Sequence, residues 1–256
     1  MSGSVTPGRT VDSERQGERG VGVTKGLDGA VIAVAGAGGP TGRAVLARLA
    51  GAGAHVYGAD ADAGRLHESV EAAPGTHGAV VDLLDPAATR RWADDVEREH
   101  GRVDGLVHLV GGWRGGKRFA DNSLEDWTLL HDLLVRTVQH TSLAFHEALA
   151  RSPRGRFVLV SAAAAGQPTQ GNAGYAAAKA AAETWTLALA DAFAESDAAA
   201  TILVVKALVN DAMRQARPNA KFAGFTDVAD LAVEIAGLWS TPAIDLNGKR
   251  LCLNIP

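Results

Sequence analysis

Six short apolar runs punctuate the chain, and each leads into a longer stretch with helical spacing. The runs are AVIAVA (30–35), AHVYGA (54–59), HGAVVD (77–82), DGLVHLV (104–110), RFVLVS (156–161) and TILVVK (201–206). The helical stretches follow at about 40–51, 62–72, 86–100, 123–151, 173–196 and 226–239, and RLCLNI (250–255) reads as a last strand. Runs that do not alternate apolar with polar residues need cover on both faces, as in a parallel sheet. Strands that alternate with helices make βαβ units. The pattern predicts a single α/β domain over 29–256, with a Rossmann-type doubly wound parallel sheet and helices on both faces. Residues 1–28 carry Gly, Ser, Arg and Glu without apolar periodicity, which predicts a disordered tail.

Composition removes several function classes. Lys and Arg number 25 against 29 acids, for a net charge of −4. A nucleic-acid partner needs a basic surface and is not expected. No apolar run reaches the ~18 residues of a membrane helix, and the N-terminal residues lack the apolar core of a signal peptide. The expectation is a cytoplasmic protein with a small-molecule substrate. A lone cysteine, Cys252, excludes an intramolecular disulfide and a cysteine-based zinc site, and is expected as a small core residue.

The first strand runs into Gly36-Ala37-Gly38-Gly39-Pro40-Thr41-Gly42, where a helix begins. A glycine-rich turn there lets backbone N–H groups approach a phosphate, and the helix N-terminus favours its charge. A side chain at Gly36 is expected to enter the pyrophosphate space. Asp60 closes the second strand, 18 residues beyond Gly42. Its carboxylate suits the hydroxyls of an adenosine ribose and repels a 2′-phosphate, so NAD(H) is expected over NADP(H). Asp82, with Leu83 beside it, closes the third strand and is placed either to meet adenine or to cap the next helix. Strand four ends in Val110-Gly111-Gly112, where glycine lets the backbone lie beside a cofactor.

Tyr175 and Lys179 stand at i and i+4 near the start of an alanine-rich helix, so both lie on one face. An ammonium stabilises a phenolate and lowers the tyrosine pKa from its reference of about 10. The pair then supplies a proton to a carbonyl or imine as hydride arrives. Trp113, in the glycine-rich loop after strand four, is placed either to stack on a flat substrate or to pack on the following helix.

Taken in order, these motifs resemble the short-chain dehydrogenase/reductase family over residues 29–256. That resemblance implies a nicotinamide cofactor held by Gly36, Gly38, Gly39, Pro40, Thr41, Gly42, Asp60, Asp82, Leu83, Val110, Gly111 and Gly112, with Tyr175 and Lys179 shared between cofactor and catalysis. It also implies a homodimer or homotetramer built through helix contacts. The chain departs from the family pattern at several points. Pro40 replaces the middle turn glycine. Leu134 falls where the family has a catalytic asparagine. Ala162 stands where a serine would precede the tyrosine by thirteen residues, and Ser161 is one place away, pointing to the opposite strand face.

One branch, the dihydropteridine reductases, resembles the chain at these departures. Its glycine- and tryptophan-bearing segment after strand four is matched by Val110-Gly111-Gly112-Trp113-Arg114-Gly115-Gly116, and it too has alanine at the serine position. The resemblance implies hydride transfer to a flat conjugated acceptor such as a quinonoid dihydropterin, with Trp113 and Ala162 at the substrate. A short-chain ketone or quinone reductase or dehydrogenase of a biosynthetic pathway, or a non-catalytic dinucleotide-binding protein, are the alternatives.

Overall fold

The computed structural model describes residues 26–253. The predicted tail therefore lies largely outside the described residues. Seven strands form one parallel sheet in the order β3-β2-β1-β4-β5-β6-β9. They are β1 Val31–Ala35, β2 His55–Asp60, β3 Thr76–Val80, β4 Gly105–His108, β5 Arg156–Ala162, β6 Ala199–Val205 and β9 Arg250–Cys252. Two short strands, β7 Leu208–Val209 and β8 Thr226–Asp227, pair separately. The helices are α1 Pro40–Ala50, α2 Ala63–Glu71, α3 Pro86–His100, α4 Leu124–His131, α5 Thr137–Arg151, α6 Ala173–Ala192, α7 Asp211–Ala216, α8 Val228–Gly237 and α9 Ala243–Leu246.

The two-residue period of β1 explains the two layers of helix. Val31, Ala33 and Ala35 belong to a core shared with Trp92, Phe145, Leu149, Leu189 and Phe193 of the α3, α5 and α6 side. Ile32 and Val34 belong to the opposite core, with Leu46, Leu49, Leu66, Leu231 and Ile235 of α1, α2 and α8. Both faces of the strand are thus removed from water, as its unbroken apolar sequence requires.

The sheet is fastened at the N-terminal ends of its strands. Buried Asp104 accepts from the Val31 N–H at 3.0 Å, Ser152 Oγ at 2.7 Å and Arg102 Nε at 2.9 Å. Burial pushes its pKa up, but these donors and Arg154 outweigh it and hold the carboxyl below its ordinary value. The opposite edge, where the C-terminal ends of β1, β4 and β5 meet, is left to the loops.

Two expectations change. The helix read over 123–151 is interrupted: Asp132–Arg136 is a π-helical turn between α4 and α5, with the Thr137 N–H bonded to the Asp132 carbonyl. Cys252 is exposed on β9, because that strand lies at the sheet edge with no outer neighbour among the described residues.

Candidate active site

Gly36 ends β1 with φ +82°, a conformation that favours glycine. A Cβ there would sit 2.8 Å from the Val110 backbone nitrogen, so the loop after β4 passes directly against it. A side chain at Gly36 therefore strikes protein backbone rather than only the space of a ligand. Gly42 seats α1 on the turn, where a Cβ would run into the Ala37 carbonyl. Gly39 differs from both. It is the N-cap of α1 with extended backbone, φ −83°, and nothing lies within 4 Å of a Cβ built on it.

Pro40 occupies the first helical turn, where its missing N–H removes no intrahelical bond. The first intrahelical bond runs from the Arg43 N–H to the Gly39 carbonyl at 2.9 Å. The N–H groups of Thr41 and Gly42 precede it and are the free donors of the helix start. A diphosphate suits that position.

A groove of about 290 Å³ opens beside this turn. Gly36, Gly39, Asp60, Asp82, Leu83, Val110 and Gly111 line it. Gly38, Pro40, Thr41, Gly42 and Gly112 do not, nor do Trp113, Ala162, Tyr175 and Lys179. Asp60 is oriented by two backbone donors, Gly38 N–H at 2.9 Å and Asp62 N–H at 3.0 Å. A Cβ on Gly38 would meet the Asp60 carboxyl at 2.9 Å, so glycine is what lets turn and carboxylate approach. Arg65 also lines the groove, and its Nε is engaged by Asp62 at 3.0 Å. Asp82 accepts from the Leu84 N–H at 2.9 Å, which fixes the loop after β3. Open room at Gly39, the helix-start donors and the carboxylates of Asp60 and Asp82 along the groove fit an adenine dinucleotide.

Tyr175 and Lys179 stand one turn apart on α6. Lys179 is 7% exposed, and its Nζ donates to the Val160 carbonyl at 2.8 Å. Burial lowers its pKa to about 8, with the charge of Glu183 acting in the opposite direction. Tyr175 packs against Leu130, Leu134, Val135 and Ala178. Burial pushes its hydroxyl above the ordinary phenol value. This reverses the sequence expectation of an acidified tyrosine, because an apolar wall penalises phenolate while the ammonium is drawn towards Val160.

The two positions where the family resemblance implies polar groups are apolar. Leu134 is buried in the π turn, and Ala162, 4% exposed, ends β5. Ser161 does not replace the missing hydroxyl: its Oγ donates to Glu183 Oε1 at 2.6 Å. Glu183 lies eight residues past Tyr175, about 12 Å further along the helix. The one-residue offset thus sends the serine elsewhere, as strand geometry dictates.

Behind the site, His108 is buried between Thr141 Oγ1 at 3.1 Å and Thr137 Oγ1 at 3.2 Å. A neutral ring donates to one hydroxyl; it accepts from the other only when that hydroxyl turns its proton away from its helix carbonyl, Leu133 O for Thr137 or Thr137 O for Thr141. Burial, then the Lys179 charge, lowers its pKa to about 3.

The glycine-rich loop after β4 is pinned over the start of α6. The Gly116 N–H bonds the Gly171 carbonyl at 2.7 Å, and no side chain fits at Gly171 against the Gly116 carbonyl. Asn122 adds two ties, Nδ2 to Gln170 O at 2.8 Å and Oδ1 from the Ala173 N–H at 3.1 Å. Lys117 and Arg118 fold onto Asp121 through backbone N–H bonds and an ion pair. Trp113 remains 56% exposed in this loop. Asn122, Thr137, Thr141 and Glu183 escaped the sequence reading. The regular Ser-x-x-Asp start of α4 and the Thr/His spacing were legible, but their partners are distant in the chain.

The family model for short chain dehydrogenases matches residues 30–220, and the chain belongs to that family. It is 32% identical over 175 residues to a 2,3-dihydro-2,3-dihydroxybenzoate dehydrogenase of Bacillus subtilis (strain 168), covering 67% of each chain. It is 29% identical over 157 residues to the 3-oxoacyl-acyl-carrier-protein reductase FabG of Escherichia coli (strain K12), covering 60% of this chain and 63% of that one. A short-chain type dehydrogenase/reductase from Mycobacterium ulcerans has a similar fold, with TM-score 0.80, 23% identity and 88% of each chain covered. The protein is an NAD(P)-dependent oxidoreductase of the short-chain class. These relatives establish the class and do not single out a pterin-reducing branch.

Proposed function

We propose that the protein uses NADH in preference to NADPH to reduce a flat, conjugated acceptor, of which a quinonoid dihydropterin is the type. Bound nicotinamide supplies the hydride. The observation that carries the reading is the apolar surroundings of Tyr175: Leu134 belongs to the cluster it packs against, and Leu134 and Ala162 are both buried where an asparagine and a serine would otherwise serve a carbonyl. A ketone concentrates negative charge on one oxygen and needs a fixed donor there. A conjugated ring spreads that charge, so a single proton donor suffices.

In this reading Tyr175 keeps its proton at rest, because burial raises its pKa, and gives it up only when charge develops on the acceptor. Lys179 orients the nicotinamide ribose and stabilises the phenolate left behind. Thr41 and Gly42 N–H groups, with Gly36, Gly38, Gly39 and Pro40 shaping the turn, hold the diphosphate. Asp60 takes the adenosine ribose, Asp82 and Leu83 the adenine, and Val110, Gly111 and Gly112 flank the cofactor. Exposed Trp113 covers one face of the substrate ring beside Ala162. Cytoplasmic location and a homodimer or homotetramer complete the proposal; among the described residues, no helix is long and apolar enough to cross a membrane.

The test is stopped-flow oxidation of NADH with a quinonoid dihydropterin, a quinone and an unactivated ketone. Turnover of the conjugated acceptors with little on the ketone supports the reading. Efficient ketone reduction with none of the ring substrate sinks it and favours a ketone reductase.

A further inference from the structure

Lys179 must carry a proton to do the work proposed for it, yet its surroundings disfavour one. It is buried beside an apolar cluster, and the hydrogen bond it makes among the described residues is to a neutral carbonyl. One helical turn further on, Glu183 presents a carboxylate that is largely shielded, with 13% of its side chain exposed. That carboxylate is fixed from two strands. Ser161 Oγ on β5 donates to Oε1 at 2.6 Å, and Arg250 Nε on β9 donates to Oε2 at 2.9 Å. Three elements therefore converge on one acid that stands at i+4 from the lysine.

We propose that Glu183 is a positioning residue, whose carboxylate, locked by Ser161 and Arg250, keeps Lys179 an ammonium in an otherwise apolar site. Helix geometry puts residues i and i+4 on the same face, within electrostatic reach. The charge of Glu183 acts on Lys179 in the direction that favours the proton, against burial. The other titratable groups around the lysine do not supply this. Tyr175 precedes it by a turn and is neutral at rest, and His108 on β4 is held neutral by its burial. Arg250 adds a positive charge, held at Glu183 by Nε to Oε2 at 2.9 Å and Nη2 to Oε1 at 3.5 Å, but it stands on the edge strand and is partly exposed. The assignment also explains Ser161. Next to the position where a substrate-facing serine would stand, it serves the lysine by fixing the lysine's counter-ion.

This inference rests on the reading of Lys179 as the residue that must stay charged, and its primary test needs no cofactor or turnover. The ε-carbon resonances of ¹³C-labelled lysine are followed against pH in the cofactor-free protein, with the Lys179 signal assigned by its loss in Lys179→Met. In Glu183→Gln, which preserves shape, the midpoint moves to lower pH by about one pH unit. Glu183→Asp, which keeps the charge, restores most of the difference. An unchanged midpoint in folded Glu183→Gln, or equal midpoints for Gln and Asp, overturns the proposal and leaves Glu183 as an anchor for β9. If Glu183→Gln does not fold, the double variant Glu183→Gln/Arg250→Gln leaves no charge unpaired and moves the midpoint in the same direction; no movement there overturns the proposal equally. The alkaline limb of NADH oxidation, measured in parallel, separates the two readings. A resonance that moves while the limb stays fixed upholds Glu183 and rejects Lys179 as the proton-bearing catalytic group.

Discussion

The Nζ of Lys179 lies 2.8 Å from the carbonyl oxygen of Val160, so the strand that ends in Ala162 also seats the ammonium delivered by α6. This contact places the lysine at the edge of the sheet, one turn below Tyr175, and removes it from water. Two opposing consequences follow, one for stability and one for chemistry.

The stability consequence can be measured directly. Burial holds Lys179 near pKa 8, against 10.5 for an ordinary lysine. Below pH 8 both folded and unfolded chains carry the proton, and the folded state bears the full cost of a shielded charge. Between 8 and 10.5 the folded chain sheds its proton first, so this group makes stability rise with pH. The shift corresponds to roughly 3 kcal/mol. Lys179→Met, even after losing a hydrogen bond of about 1 kcal/mol, is expected to stabilise the cofactor-free protein by about 2 kcal/mol at pH 7. Urea unfolding checks this; a midpoint below that of the wild type contradicts it. NADH affinity, read by fluorescence titration, falls in the same variant.

Tyr175→Phe removes one oxygen from a side chain already surrounded by apolar groups. Folding and NADH binding are expected to persist while turnover drops by about 10²–10⁴, the range for a positioned general acid. Single-turnover hydride transfer is the measurement. Wild-type rates in the Phe variant would take Tyr175 out of the mechanism.

Cofactor choice is tested at Asp60 and cofactor binding at Gly39. Asp60→Ala is expected to narrow the preference for NADH over NADPH by about 1–3 kcal/mol, the worth of a hydrogen bond to a charged group. Equal wild-type affinities for the two cofactors would refute the assignment. Gly39→Val leaves the fold intact, because Gly39 has ordinary backbone and open space around it, and weakens dinucleotide binding by filling that space. Gly36→Val is a poorer probe: its φ of +82° and the contact with Val110 make it a folding variant.

Acid should weaken the fold through His108. Its folded pKa of about 3 lies far below the ordinary 6.5, because burial and then the Lys179 charge oppose protonation. Between those values the unfolded chain binds more protons, so stability falls as pH drops, by about 1.4 kcal/mol per pH unit. From pH 6.5 to pH 5 this amounts to about 2 kcal/mol. His108→Gln, which cannot titrate, is expected to show a shallower loss between pH 7 and 5 in the same unfolding measurement.

Ala162→Ser restores the hydroxyl that the family pattern places there. With a conjugated acceptor the gain in rate is expected to stay below about tenfold. A gain of a hundredfold, roughly 2.7 kcal/mol of transition-state stabilisation, is the scale of an oxyanion donor and would identify a carbonyl reductase that had lost its serine.

What the sequence determined by itself was most of what is local or periodic. The apolar runs marked the central strands, because β1, β4, β5 and β6 are buried along nearly their whole length and carry no polar alternation. The helix after Asp85 spans Pro86–His100, the bounds its local sequence predicts, since Asp85 caps it, Pro86 opens it and Gly101 closes it with φ +69°. Gly36, Asp60 and the Tyr175–Lys179 pair were legible because their spacing along one strand or helix fixes their geometry. Tertiary structure decided what depends on distant neighbours. It turned the expected acidified phenol into a buried one, since desolvation is a property of the packed wall that Leu134 helps to build. It interrupted a helix that looked continuous, through a π turn at Asp132–Arg136. It put Cys252 at the open edge of the sheet, a place that no periodicity encodes. Finally, it joined Ser161, Glu183 and Arg250 across β5, α6 and β9, because hydrogen bonds and burial between elements arise only when the chain has closed on itself.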